Sequence, residues 1–189
     1  MIRLRVRCAG VLLLGLLVAG AAVAQVAAPP EPAGYRTHDY RAPVPRTLRG
    51  ARVLSTETAH ALWETNAAVF IDVLAQPPRP AGLPPGTIWR PKPRFDIPGS
   101  TWLPDTGYGV LPPVMESYFR DGLRAASDGD RSRMLVFYCL KDCWMSWNAA
   151  KRALAEGYTL VGWYPDGTDG WSAAKLPLQQ RQPVRRPYE

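Results

Sequence analysis

Residues 134–157 read MLVFYCLKDCWMSWNAAKRALAEG, and this stretch decides the fold. Its first five residues form a short, unbroken apolar run rich in strand formers, the pattern of a strand buried on both faces of a parallel sheet. Cys139 stands at the carboxyl end of that run, Cys143 follows four residues later, and Trp144 comes next. Trp147, Ala150, Ala153 and Leu154 then recur at threes and fours, Ala149 and Ala155 favour helix, and Gly157 stops it. A thiol held between a strand end and a helix start lies where open α/β sheets place their sites. The first amides of such a helix also stabilise a thiolate. Chemistry is therefore expected at Cys139 and Cys143.

Upstream, residues 68–73 (AVFIDV) form a second buried strand that ends in Asp72. An Asp at that place fixes a neighbouring turn more often than it acts in catalysis, so a supporting role is expected. Residues 51–54 make a short strand, and Ser55 or Thr56 caps a helix over 57–66 with Ala59, Leu62 and Trp63 inward and His60 on an outer or flanking face. Residues 75–100 carry Pro77, Pro78, Pro80, Pro84, Pro85, Pro91, Pro93 and Pro98. No helix or central strand tolerates that density, so a long irregular insertion is expected, pinned by Trp89 and Phe95. Ile97-Pro98-Gly99-Ser100 turns into a short strand over 101–103. Pro112 and Pro113 open a helix to about residue 126, with Val114, Met115, Tyr118, Phe119 and Leu123 on its apolar face.

Downstream, 158–164 is the last strand, 165–170 a turn, and Trp171 starts a short helical piece. Alternating strands and helices predict an α/β fold with a five-stranded, mainly parallel sheet and helices on both faces. The expected organisation is a leader (1–24), a Pro/Arg-rich strap or linker (25–50), the domain (51–178, with the insertion at 75–100) and a basic tail (179–189).

The leader reads as a secretion signal: Arg3, Arg5 and Arg7, then an apolar middle over 11–18, then Ala22-Val23-Ala24 as the cleavage site. Its apolar part is too short for a stable membrane anchor. Losing the three arginines, and Cys8 with them, lowers the formal charge of the 189-residue chain from +7 to +4. Much of that charge sits in the two end segments without a recognition motif, so solvated tails are expected and nucleic acid is not a partner. Cys139 and Cys143 remain, in a compartment that permits disulfides. A bridge between them closes so short a loop that it stabilises by only about 2 kcal/mol. Exchange chemistry is the better use of such a pair.

The strand with Asp72-Val73, the Ile97-Pro98-Gly99-Ser100 turn, the strand ending in Cys139, the helix with Ala149-Ala150, Gly157-Tyr158 and the glycine turn before Trp171 together resemble the rhodanese fold, over roughly residues 50–178. The resemblance puts Cys139 at the sulfur-carrying nucleophile. More narrowly, Cys139-Leu140-Lys141-Asp142-Cys143-Trp144, with WYPDGTDGW downstream, resembles exported proteins named for a cysteine-cysteine-tryptophan motif. Those are associated with catabolism dependent on pyrroloquinoline quinone, that is, alcohol oxidation by periplasmic quinoproteins. The resemblance implies a periplasmic location and a partner that is a periplasmic protein or a small thiol or sulfur donor, a quinoprotein dehydrogenase or cytochrome c system included.

The loop departs from ordinary sulfurtransferases, whose glycine and arginine fall here at about Asp142 and Trp144. Asp142 raises the pKa of a Cys139 thiol, while Lys141 and the helix start lower it. Related phosphatases need an arginine six residues after the cysteine, where this chain has Met145. Three readings follow. In the first, Cys139 attacks and Cys143 resolves, with Leu140, Lys141, Asp142 and Trp144 as loop or substrate contacts and Asp72 and Trp147 in support. The second is soft-metal binding, copper above all, by the CxxxC pair with a histidine. The third is a non-catalytic assembly module whose cysteines form a static disulfide. No dinucleotide, phosphate, haem-attachment or quinone motif is present, so no cofactor and no resident metal are expected. The first reading requires the two sulfurs to be close together and open to another molecule.

Overall fold

The computed structural model describes residues 27–188; the secretion-signal reading and the first two residues of the strap lie outside them. Seven strands and four helices follow in the order β1 (Arg52–Val53), α1 (Thr56–Glu64), β2 (Val69–Asp72), β3 (Arg94–Asp96), β4 (Thr101–Trp102), α2 (Pro113–Ala126), β5 (Leu135–Tyr138), α3 (Trp144–Ala155), β6 (Val161–Trp163), α4 (Gly167–Ala173) and β7 (Gln179–Arg181). Five strands form one sheet in the order β1-β6-β5-β2-β4, and every pairing in it is parallel. The expected five-stranded parallel α/β sheet is the one observed.

Successive residues of the central strands feed two cores, as the pleat requires. Ile71, Leu135 and Phe137 point to the face covered by α2 and α3, where they meet Phe119, Leu123, Trp147 and Ala150. Phe70, Val136 and Tyr138 point to the other face, against Ala59 of α1 and Trp171 of α4. His60 stacks on Trp63 at 5.8 Å and meets the edge of Trp171 at 5.7 Å, so it belongs to this second face. Among the described residues no helix is long and apolar enough to cross a membrane.

Three segments differ from the sequence reading. The insertion is not wholly irregular: β3 pairs antiparallel with β7 as a separate two-stranded sheet, which proline-free residues 94–96 permit. Phe95 does not pin it, being 51% exposed; Ile97 is fully buried and Asp96 beside it as well. Residues 167–170 are not a turn but the first turn of α4. The C-terminal segment is no solvated tail either. Val184 donates its N–H to Trp102 O on the sheet edge (2.9 Å), and buried Arg186 reaches Asp105 at 2.7 Å.

Candidate functional site

The carboxyl ends of β2, β5 and β6 converge on the loop 139–143. Cys139 ends the central strand, and Cys143 is the N-cap of α3 with no side-chain cap bond of its own. The two residues lie 6.5 Å apart between Cα atoms and are joined as a disulfide. Asp142 turns the loop back through the left-handed region, φ 51°, which Asp tolerates better than most residues. Its carboxylate and Lys141 are exposed, and Leu140 is half-buried.

The loop is held from its outer side by α4. Thr168 N donates to Cys139 O at 3.0 Å, Lys141 N donates to the Asp169 carboxylate at 3.0 Å, and Gly167 bridges Leu140. Gly167 has φ 50°, and any Cβ there would collide with the Cys139 carbonyl, so glycine is required twice over. The sequence reads here as a turn, with no contact to the cysteine loop expected. The signal available was the same DGTDG run, read for composition and not for close backbone approach.

A guanidinium from the insertion closes the underside. Arg94 Nε meets Asp72 at 2.6 Å, and its terminal nitrogens reach Thr168 Oγ1 and Cys139 O, both at 3.4 Å. Asp72 fixes its own turn by accepting from Leu74 N at 2.9 Å, and the ion pair with Arg94 is an addition. Burial pushes the Asp72 carboxyl upward, against the pull of Arg94 and the Val73 and Leu74 amides. Next to them Asp96 is fully buried, with one oxygen 3.4 Å from Arg181 and the other without a protein partner. Burial first, and then the neighbouring Asp72 charge, push it up to about 7. Tyr138 links the group to the 97–100 turn, donating to Ser100 Oγ at 2.7 Å and accepting from Ile97 N at 3.2 Å. Arg94 was invisible beforehand because nothing local marks it; it lies 45 residues from Cys139.

The loop's inner side is covered by the chain before β1. Residues around 35–48 run across α3, and Arg41 forms an antiparallel bridge with Cys143. Tyr40, Ala42 and Val44 pack on the cluster that contains both cysteines. In consequence Cys139 is fully buried and Cys143 is 2% exposed. The expected proximity of the sulfurs is present; the expected openness is not. Trp144 and Trp147 are buried too, so neither presents a flat face to solvent. A cavity of about 530 Å³ lies beside the loop, walled by Leu140, Thr168, Trp102, Arg94 and Lys92, without either cysteine in its wall.

Among the described residues the metal reading finds no third ligand. His60 is committed to α1 and α4, His38 lies exposed on the strap beside Asp39, and no group of three metal-ligating side chains occurs among the described residues.

Five parallel strands between paired helices, with a cysteine just past the end of the central strand, make the parallel α/β architecture that the rhodanese resemblance implies. No protein-family model and no curated protein matches the chain. Among solved structures it is similar to a thiosulfate sulfurtransferase from Pseudomonas aeruginosa, with a TM-score of 0.49 and 18% identity over 73% of this chain and 22% of that one. It is similar also to an uncharacterized protein from Saccharomyces cerevisiae (TM-score 0.42, 21% identity, 67% and 98% of the two chains). A third is the 30 kDa polysulfide-sulfur transferase homodimer from Wolinella succinogenes (0.44, 16%, 70% and 81%). The chain spans little more than a fifth of the first of these.

Proposed function

We propose that Cys139 and Cys143, once the segment before β1 moves off the loop, carry out thiol–disulfide exchange in the periplasm, in support of quinoprotein-dependent alcohol oxidation. The observation that carries this reading is the disulfide itself, placed at the carboxyl end of the central parallel strand and at the start of α3. In the reduced protein the Cys139 thiolate attacks a partner disulfide, forming a mixed disulfide and releasing one partner sulfur as thiolate. The Cys143 thiolate then attacks Cys139 Sγ, the internal bond forms, and the second partner sulfur leaves. Two electrons pass to the partner, and the protein ends with the Cys139–Cys143 bond formed. A resolving thiol inside the loop favours exchange over stable sulfur carriage. Cys143 as N-cap sits in the positive end of the helix dipole, which favours its thiolate. The substrate class is a protein disulfide or thiol, and a haem- or disulfide-bearing member of the quinoprotein system fits the CxxxCW resemblance.

Burial of both sulfurs favours a second reading, a non-catalytic assembly module with a static disulfide. The reduction potential of the pair separates the two. Equilibration against dithiol redox buffers, read by alkylation, is expected to place it between about −120 and −270 mV, the span of exchange catalysts. A value below about −300 mV marks a structural bond and overturns the exchange reading.

A further inference from the structure

The hydrogen bonds between α3 and the segment that covers the cysteines run almost entirely to that segment's main chain. Tyr40 O accepts from the Trp144 amide at 2.9 Å, Pro43 O from the Trp144 indole at 3.1 Å, and Thr47 O from the Trp147 indole at 3.2 Å. Asn148 clamps Arg36 from both sides, receiving its N–H at 2.9 Å and donating to its carbonyl at 2.8 Å. Lys151 Nζ donates to Pro32 O at 3.3 Å. The donors 144, 147, 148 and 151 follow the spacing i, i+3, i+4, i+7, so they form one stripe of the helix. The occupant carries Pro32, Pro43 and Pro45, forms neither helix nor regular strand, and lays the Arg36 guanidinium 5.3 Å from the centre of the Trp144 ring. Indole donors aimed at successive carbonyls of a proline-rich chain are a recurring mode of peptide recognition. An intramolecular occupant has the advantage of high effective concentration.

We infer that the Trp144–Trp147–Asn148–Lys151 stripe is a receptor groove for a non-helical, proline-rich, arginine-bearing segment. In this chain residues 32–47 fill it in cis, and a partner segment of the same chemistry exchanges with them in trans. Vacating the groove removes the Arg41 bridge and the Tyr40 carbonyl from the Cys143–Trp144 end of the loop, and so uncovers the disulfide. The use of that opening rests on the exchange reading; the groove itself does not.

The test reads access to a generic reagent. One thiolate of dithiothreitol attacks a sulfur of the pair and the Sγ–Sγ bond breaks. The reagent's second thiolate then closes its ring while the second cysteine leaves, so two electrons enter the protein and the reagent ends as its cyclic disulfide. Arg36→Pro deletes the N–H that Asn148 accepts and the guanidinium over Trp144. Tyr40→Ala deletes the hydroxyl that accepts from Gly109 N at 3.1 Å. Both changes lie on the covering segment and leave groove and cysteines intact. In the full chain the double variant is expected to be reduced at least tenfold faster than wild type. A synthetic peptide of residues 27–49, added in trans, is expected to restore protection saturably. Glu31→Ala, which removes exposed hydrogen bonds to Thr47 and Arg49 and a charge interaction with Lys151, is expected to give a smaller rise of the same sign and guards against a folding defect. Equal rates in all three proteins, or a double variant that the peptide does not protect, would overturn the inference. A pair with a structural potential still shows these rate differences, so this result and the potential fail separately.

Discussion

Arg94→Ala tests the closure of the loop from below. Asp72 is fully buried and Arg94 is its ion-pair partner at 2.6 Å, itself only 10% exposed in its side chain. Deleting one member of a buried pair leaves an uncompensated charge and costs about 3–5 kcal/mol. Asp72 keeps its bonds from the Val73 and Leu74 amides, which places the loss at the lower end, about 3 kcal/mol. The loss must depend on pH. Burial already raises Asp72 above the ordinary carboxylate value of 3.8, and without Arg94 the carboxyl rises further. The folded variant then binds a proton that the unfolded chain has released, so its stability falls as pH climbs through that window. Urea unfolding followed by tryptophan fluorescence should show a larger deficit at pH 8 than at pH 5. The double variant Asp72→Asn/Arg94→Gln should recover much of it, because neutral partners leave no buried charge. A deficit under about 1 kcal/mol, or one equal at both pH values, would refute the argument.

Two further outcomes follow from neighbouring residues. Asp96, raised to about 7, binds more protons folded than unfolded, so wild-type stability should decline from about pH 4 to about pH 7 and level off above; Asp96→Asn should flatten that slope and gain on the order of 2 kcal/mol at pH 8 after losing the Arg181 contact, and an unchanged slope in thermal unfolding across pH 4–8 would show that another group titrates there. Gly167→Ala places a Cβ onto the Cys139 carbonyl at a left-handed residue, so it should cost at least about 2 kcal/mol and lower the melting temperature, whereas Gly34→Ala, with nothing within 4 Å, should not; equal melting temperatures would refute the close approach.

The sheet was legible because its strands carry their signal locally. The apolar runs that become β2 and β5 have no polar residue before their ends, and the helix after Cys143 repeats at threes and fours; these patterns follow from burial on two faces and on one stripe. What surrounds the cysteines was not legible in the same way. Arg94 sits among prolines, the α4 start looks like a turn by composition, and the covering segment has no periodicity. All three act through backbone carbonyls, single guanidinium contacts or a missing Cβ. Such contacts join residues 22 to 119 apart in sequence, and no window of a dozen residues records them.

This difference bears on how the site works. The parallel sheet alone would leave a cysteine loop open at its carboxyl rim, as such sheets leave most sites. Here non-periodic segments close it from outside the sheet: α4 and the insertion grip the Cys139 carbonyl, and the strap sits on Cys143. The two closures are unequal. The lower one ends in a buried ion pair and a glycine with no room for a side chain, so opening it would expose charge and break the loop's own backbone bonds. The upper one combines main-chain carbonyls on indole, amide and ammonium donors, which water or another peptide satisfies nearly as well, with the apolar contacts of Tyr40, Ala42 and Val44, and it holds no buried ion pair. If the loop opens, it therefore opens on the strap side, over the start of α3.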